Sequence, residues 1–151
     1  MSAGKYLTFA LDREEYAVSV LQVREIVKIM DITAVPQLPT YVKGVINLRG
    51  RVIPVVDMRL KLGLPAKDYS ERTCIIVAEV MARNRAVMMG VIVDAVSDVL
   101  SISADDLSAP SDFDMSKNGW VEAIAKVKGR LKILLNLDKM LGTDGELIRA
   151  A

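Results

Sequence analysis

The sequence predicts an all-β fold, either a barrel or a sandwich of short strands. Short apolar runs alternate with polar turns along the 151 residues, and no helical pattern is longer than about two turns. The composition agrees, because 19 Val and 12 Ile supply the β-branched side chains that strands favour. Aromatic residues make up only 5% of a chain that is 52% apolar, so the core must be aliphatic.

The chain begins with a predicted hairpin. Residues 5–11 and 16–20 show the alternation of half-buried strands, and the polar residues 12–15 between them form the turn. Residues 20–25 are expected to include one brief helical turn, and a strand is expected to continue over 26–30.

A second hairpin follows a Pro-bounded linker. The apolar runs 45–48 and 52–56 flank Arg49 and Gly50, and the glycine supplies the positive φ that a tight turn needs. Pro54 cannot donate a backbone hydrogen bond, which places the second strand of this hairpin at a sheet edge or at a bulge.

The second half opens with another hairpin. Residues 73–80 and 86–93 form its predicted strands, and residues 96–102 extend the sheet. The polar stretch 103–119 predicts a surface loop with one helical turn.

A further hairpin and a helix complete the predicted elements. The hairpin covers residues 120–128 and 130–135, and its letters repeat those of the central hairpin. A short closing helix is expected over 137–141, and Gly142 is expected to end it.

Two pairs of segments are internal repeats. Residues 127–142 match residues 48–63 at a shift of 79 positions, and residues 91–100 match residues 18–27 at a shift of 73. Two matches in the same order with nearly equal shifts indicate a chain built from two similar halves. The expected structure is a pair of packed subdomains.

The composition and the motifs supply no catalytic apparatus. The chain has no histidine, which excludes Ser-His-Asp and Cys-His nucleophiles and the usual imidazole metal ligands. Cys74 is the single cysteine and is interpreted as a small buried hydrophobic residue. No phosphate-binding glycine motif occurs, and no carboxylate pair stands out as acid and base. We therefore expect no enzyme activity, cofactor or metal.

The sequence predicts a cytoplasmic protein without membrane insertion. Its longest uninterrupted apolar run, Ala86 to Val93, has eight residues. A helix that crosses a bilayer needs about 20 such residues. The N-terminus also lacks the charged and then apolar pattern of a signal peptide.

Two other kinds of site have weaker support. Four acidic residues of the polar stretch lack the spacing of a calcium-binding loop, so a solvated loop is preferred. These residues are Asp105, Asp106, Asp112 and Asp114. Four cations alternate along the last hairpin and suggest a small nucleic-acid platform. They are Lys126, Lys128, Arg130 and Lys132, with Trp120 at the start of the hairpin. Because lysines commonly protect edge strands and the net charge is only +1, no nucleic-acid partner is expected.

The central hairpin carries a family resemblance. The strings GVINLRG at 44–50 and IPVVDMR at 53–59 resemble the signature of the CheW family, the adaptors of bacterial chemotaxis arrays. The strings VREI at 23–26, GVIVD at 90–94 and VSDVL at 96–100 are similar to further parts of that signature, in the order of the family. Ala95 departs from it, because a Gly is common at that position. The chain is thereby identified as a single CheW-like domain over residues 1–151.

The resemblance implies both a fold and a function. The fold is two five-stranded SH3-like barrel subdomains packed side by side, with short helical segments. Their approximate bounds are 5–64 and 72–142, with terminal strands available for exchange. The function is that of a non-catalytic scaffold, which couples the cytoplasmic hairpin tip of a chemoreceptor, a methyl-accepting chemotaxis protein, to the regulatory domain of the histidine kinase CheA. The implied location is the receptor array beneath the inner membrane. A related motility or surface-sensing kinase pathway stays open.

The same resemblance implies partner-binding residues. A helical receptor tip needs an apolar groove with a few polar anchors, and the cleft between two barrels supplies such a groove. Arg49 is the leading candidate, because a guanidinium bonds a carboxylate or a carbonyl bidentately. The residues implied on or beside the groove are Val20, Val23, Glu25, Lys43, Gly44, Arg49, Gly50 and Val96. Structural roles stay open for several of them: a solvated cation at the turn, glycines that only shape the hairpin, and valines that belong to the core.

Overall fold

The computed structural model describes residues 3–109 and 119–150, in which eleven strands and two α-helices are found. The strands of the first half are β1 Gly4–Leu11, β2 Glu14–Ser19, β3 Val23–Lys28, β4 Val42–Leu48 and β5 Arg51–Asp57. Those of the second half are β6 Cys74–Ala82, β7 Arg85–Val93, β8 Ala95–Ile102, β9 Leu107–Ser108, β10 Val121–Val127 and β11 Arg130–Leu135. The helices are α1 Met58–Lys61 and α2 Leu137–Ala150, and 3₁₀ turns cover Val20–Gln22 and Ala104–Asp106.

The strands form two sheets, one for each predicted barrel. The sheet that we call barrel 1 has six strands in the order β8-β1-β2-β11-β10-β9. Barrel 2 has five strands in the order β3-β6-β7-β5-β4. The all-β prediction with two barrels is confirmed. Barrel 1 has a sixth strand because the two-residue β9 pairs with β10.

The internal repeat of the sequence is also a repeat of strand pairing. Val55 lies opposite Gly90 in the parallel ladder between β5 and β7, and Leu134 lies opposite Ala17 in the parallel ladder between β11 and β2. The shifts of 79 and 73 positions convert the first pair into the second. Apart from β9, the two barrels therefore have the same strand order. Barrel 1 combines the hairpin of β1 and β2 from the first half of the chain with strands of the second half. Barrel 2 combines the hairpin of β6 and β7 from the second half with strands of the first half. The division at 5–64 and 72–142 stays a prediction, since both sheets draw strands from both segments.

The largest apolar cluster joins the two barrels. It contains residues of β1 in barrel 1, residues of β6 and β7 in barrel 2, and residues of α2. Its members include Leu7, Phe9, Leu11, Ile76, Ala78, Val80, Met89, Val91, Leu137, Met140 and Leu141. Each barrel also has a smaller core of its own. Because the main core is shared, burial of apolar surface holds the barrels together as well as folding each one.

The closing helix is longer than predicted. Gly142 was expected to end it, but α2 continues to Ala150 and has fourteen residues. A Cβ at Gly142 would lie 2.8 Å from the carbonyl oxygen of Met81, and a Cβ at Gly145 would lie 3.4 Å from Sδ of Met89. The glycines therefore let α2 pack closely on the hairpin of β6 and β7. Close approach, rather than helix termination, explains them.

Pro54 does not lie on an edge strand. Strand β5 is second from the edge of barrel 2, between β7 and β4, so the edge position is wrong. The predicted alternative, a bulge, is present beside it, because the register of β4 and β5 shifts between Val42 and Gly44. Both backbone groups of Val45, which is opposite Pro54, bond to Thr33 on the far side of β4. Pro54 therefore directs its donor-free nitrogen toward β7, where the ladder begins only at Val55.

Most remaining predictions agree with the structure. The brief helical turn after β2 is present over Val20–Gln22, and the strand after it begins at Val23, earlier than expected. The polar loop contains a helical turn over Ala104–Asp106, while Asp112 and Asp114 lie outside the described residues. Neither α1 nor the described part of α2 has the length and apolar character that a membrane-spanning helix requires.

Candidate protein-binding site

An ion pair joins the central hairpin of barrel 2 to its edge strand. Arg49 stands at the tip between β4 and β5, and its Nη2 donates to Oε2 of Glu25 on β3. This hydrogen bond lowers the pKa of the Glu25 carboxyl and raises the pKa of the Arg49 guanidinium. The Arg49 side chain is still 70% exposed, so the pair is accessible to a partner. Gly50 adopts a φ of +83° and donates its N–H to Oδ1 of Asn47 at 2.9 Å, which shapes the turn.

A cavity of about 470 Å³ opens beside this ion pair at the end of barrel 2. We call it the mouth cavity. A second ion pair on its rim joins Nη2 of Arg24 to Oε2 of Glu79 at 3.1 Å. Ile53 and Val77, both buried, contribute to an apolar lining. The full lining is Arg24, Glu25, Leu48, Arg49, Arg51, Ile53, Val77, Glu79, Ala86 and Met88.

The three predicted valines contact the core that the two barrels share. Val20, Val23 and Val96 are half-buried and pack against the shared apolar cluster. Val20 begins the 3₁₀ turn, which Gln22 anchors by donating Nε2 to Oδ1 of Asp138 at 2.9 Å. The next residue after Val20 is Leu21, whose side chain is 85% exposed. The junction therefore presents a restrained apolar turn.

Gly44 and Lys43 are placed differently from the other predicted residues. Gly44 is buried with a φ of +137°, and a Cβ there would lie 2.0 Å from the carbonyl oxygen of Thr33. Only glycine fits this position, so the presence of Gly44 has a structural explanation. Lys43 is exposed and lines a separate depression with Asp57. It lies six residues from Arg49 along one strand, roughly 20 Å, so the structure does not bring these two cations together.

Exposed aliphatic side chains occur at equivalent positions of the two barrels. Ile26 and Val52 are exposed on barrel 2, and Val99 and Leu131 are exposed on barrel 1, by between 42% and 71%. The shifts of 73 and 79 positions relate Ile26 to Val99 and Val52 to Leu131. A single exposed aliphatic residue is ordinary, but here each of two exposed positions recurs at the equivalent position of the other barrel. The two positions lie on strands that are not neighbours in either sheet.

The nucleic-acid alternative loses one of its cations. Lys132 is 7% exposed, and its Nζ donates to Oε1 of Glu15. It therefore points into barrel 1 and not toward a phosphate backbone, which disrupts the alternating face of Lys126, Lys128 and Arg130. Among the residues that the structure describes, no three acidic or cysteine side chains are grouped to hold a metal ion.

The sequence-based predictions missed several residues of this surface. Arg24, Arg51 and Met88 line the mouth cavity, and Leu21 is the most exposed of the large apolar side chains in the described chain. The internal repeat contained a usable signal for Met88, because the shift of 73 aligns it with Glu15. An apolar residue at one position and a charged residue at its equivalent predict that Met88 and Glu15 have different neighbours in the folded protein.

Comparisons with known proteins agree with this geometry. The family model described as the CheW-like domain matches residues 5–144. A chemotaxis protein CheW of Rhizobium meliloti (strain 1021) is 36% identical, over 95% of this chain and 96% of the relative. The chemotaxis protein CheW of Thermotoga maritima is 37% identical, over 89% and 85% of the two chains. The crystal structure of scaffolding protein TtCheW from Thermoanaerobacter tengcongensis superposes with a TM-score of 0.82 at 31% identity, over 96% of both chains. The chain belongs to the CheW-like domain family.

Proposed function

We propose that this protein is a non-catalytic adaptor that couples the cytoplasmic tips of chemoreceptors to the histidine kinase CheA. The observation that carries the proposal is the recurrence of exposed aliphatic side chains at equivalent positions of both barrels, Ile26 and Val99, and Val52 and Leu131. An adaptor needs two surfaces that can be occupied at once. A duplicated fold with one contact surface on each copy meets that need, and family membership supports the same role.

The receptor tip is proposed to bind where the barrels meet. Val20, Val23 and Val96 supply apolar contacts at the junction, and the exposed pair of Glu25 and Arg49 supplies polar anchors. An amphipathic helical hairpin binds a groove of this kind through its apolar face, while charged groups at the rim set its orientation. The regulatory domain of CheA then occupies a barrel surface that the receptor leaves uncovered.

The location follows from the proposed partners. The receptor brings the adaptor to an array beneath the inner membrane, so the chain requires no membrane contact of its own. The same surfaces also fit a related motility or surface-sensing kinase. The two pathways are distinguished by the kinase whose regulatory domain this protein binds.

A matched pair of variants tests the receptor contact. Arg49→Asp changes the hairpin tip of barrel 2, and Lys128→Asp changes the equivalent tip of barrel 1, where the backbone has the same positive φ. Titration calorimetry with an isolated receptor-tip fragment is expected to show affinity about thirtyfold weaker for Arg49→Asp, as for a binding hot spot. Lys128→Asp is expected to bind like the wild type. Equal affinity of all three proteins would remove Arg49 from the site, and a wild type that binds neither the fragment nor the regulatory domain would refute the adaptor.

A further inference from the structure

The ends of the two barrels differ at equivalent positions. In barrel 1, Lys132 of β11 lies opposite Glu15 of β2, and the two side chains form an ion pair in which the side chain of Lys132 is 8% exposed. In barrel 2, the shifts of 79 and 73 place Ile53 and Met88 at the same two positions. A charged pair thus occupies these positions in barrel 1, whereas two apolar side chains line the mouth cavity at the same positions of barrel 2.

The backbone explains why the second mouth is open. The ladder of β11 and β2 runs from Lys132 to Leu134, which reaches close to the hairpin turn. The ladder of β5 and β7 runs from Val55 to Asp57. Because Lys132 corresponds to Ile53 at the shift of 79 positions, this ladder begins two residues later than its counterpart in barrel 1. Pro54 occupies the position of Ile133, and it has no N–H to offer β7. The starts of β5 and β7 are therefore unpaired with each other, and the mouth cavity lies there.

The mouth cavity combines an apolar lining with a positive rim. An adjoining depression of about 350 Å³ shares Arg51, Ile53, Ala86 and Met88 with it, so the two form one continuous groove. Four arginines and two glutamates line this groove, a formal net charge of +2. They are Arg24, Arg49, Arg51, Arg85, Glu25 and Glu79.

We propose that the mouth cavity binds one large apolar side chain of the chemoreceptor tip, from a segment that also carries acidic residues. This inference rests on the proposed function. The cavity accepts an aliphatic or aromatic side chain against Ile53 and Met88, and the arginine-rich rim favours carboxylates beside it. Arg49 and Glu25 belong both to this rim and to the proposed receptor contact, so the cavity continues that surface.

In barrel 1 an apolar side chain would have to displace an ion pair. Lys132 and Glu15 satisfy each other at the equivalent positions, and separating them would leave the mostly buried Lys132 without its counter-charge. The side chains at these two positions therefore determine which of the two related barrel ends binds the receptor. An apolar pair in barrel 2 replaces the charged pair of barrel 1, and this replacement provides the specificity.

The first test fills the cavity from its rim. Ala86 is exposed, so Ala86→Phe can place a ring over the cavity without disturbing the core. The expected result is a receptor-tip fragment bound about tenfold more weakly, or worse, in titration calorimetry. Arg13→Phe places a ring at the equivalent exposed position of barrel 1, outside the cavity, and is expected to bind as the wild type does.

The second test exchanges the two mouths. Ile53→Lys combined with Met88→Glu transfers the charged pair of barrel 1 to barrel 2, and it is expected to abolish the apolar contact. Lys132→Ile combined with Glu15→Met makes the reciprocal change and is expected to leave receptor affinity unchanged. Thermal unfolding shows whether each protein is folded. If the first double variant is unfolded, Ala86→Phe and the spectroscopic test below still decide the matter.

A methyl signal reports directly on the cavity. In the wild type labelled with ¹³C-methyl methionine, the Met88 methyl resonance, identified with Met88→Leu, is expected to shift when the receptor-tip fragment binds. Fragment binding with no Met88 shift and no effect of Ala86→Phe would overturn this inference and leave the adaptor function standing. A Met88 shift caused by the kinase regulatory domain alone would overturn the receptor as the occupant. If the wild type bound neither partner, the adaptor function itself would fail, and the inference with it.

Discussion

The two copies within this chain keep the same backbone contacts where each strand passes into its helix. The N–H of Asp57 donates to the carbonyl oxygen of Tyr41 at 2.8 Å, and the N–H of Asn136 donates to that of Trp120 at 2.8 Å. Both pairs are related by 79 positions. The side-chain oxygens of Asp57 and Asn136 then accept bonds from backbone N–H groups of α1 and α2. Backbone pairing has therefore been retained across the repeat.

The two halves of the chain differ where they contact each other. Helix α1 has four residues, whereas α2 continues for fourteen and returns to the first copy. There Nζ of Lys61 on α1 donates to Oδ2 of Asp144 on α2 at 2.9 Å, and the same Nζ lies 4.2 Å and 4.9 Å from the ring centroids of Tyr41 and Trp120. The two halves therefore share their backbone pairing but carry different side chains at their contact surfaces, whether the contact is with the other half or with a partner. Substitutions at equivalent positions test this separation.

The largest effect is expected at the bulge of β4. Gly44→Ala should destabilise the protein by at least about 4 kcal/mol, because the new Cβ would meet the Thr33 carbonyl at 2.0 Å and φ is +137°. The equivalent residue in barrel 1 is already Ala123, which is buried beside a matching register shift. Urea unfolding measures the change.

The reverse substitution is the control for this asymmetry. Ala123→Gly removes one buried methyl group and adds backbone freedom, so it should cost only about 1 kcal/mol. Equal costs at the two positions would mean that the bulges are equivalent in packing as well as in register, and that the approach of Thr33 to Gly44 is not the cause.

A smaller loss is expected where the two helices meet. Asp144→Asn should cost about 3 kcal/mol, because Lys61 and Asp144 have side chains only 9% and 4% exposed and the lysine would lose its counter-charge. The matched control is Glu79→Gln, which breaks the more exposed pair with Arg24 and should cost less than about 1 kcal/mol. Chemical denaturation compares them. Similar costs would show that the buried pair does not fasten α2 to the first copy.

Local patterns predicted the strands well, for physical reasons that particular residues illustrate. Alternation along β4 and the positive φ of Gly50 are properties of adjacent residues, so the central hairpin could be read directly. The two-copy plan was equally accessible, since pairing of Val55 with Gly90 and of Leu134 with Ala17 preserves the shifts that the letters show. Glu25 and Arg49 were named through the family resemblance, and the structure places them in contact.

What was missed depends on contacts between distant segments. Gly142 looked like a helix end, but its reason is the carbonyl of Met81, sixty-one residues earlier. Lys132 looked like a solvent-facing residue until β11 was placed beside β2, where it meets Glu15. The mouth cavity has the same origin, since Ile53 and Met88 line one space only because β5 and β7 are neighbours.

The smallest expected effect concerns acid stability, and it sharpens the comparison of the two helices. The second residue of α1 is Arg59, whose Nη1 donates to Asp12 and to Asp94 at 2.8 Å each. The equivalent residue of α2 is Asp138, which accepts from the N–H of Met81 at 2.9 Å. The hydrogen bond from Arg59 lowers the pKa of the Asp12 carboxyl.

Because the pKa of Asp12 is lower in the folded state, its stabilising contribution is present above the pKa of the unfolded chain and is lost as the pH falls below about 4. The wild type should therefore lose slightly more thermal stability between about pH 5 and pH 3 than Asp12→Asn does, by roughly 2 °C, since Asp12 is solvent-accessible. Thermal unfolding across this range measures the difference. Parallel curves for the two proteins would mean that the hydrogen bond from Arg59 to Asp12 adds no acid-sensitive stability, and that the contact of Arg59 with Asp94 is sufficient to hold α1 in place.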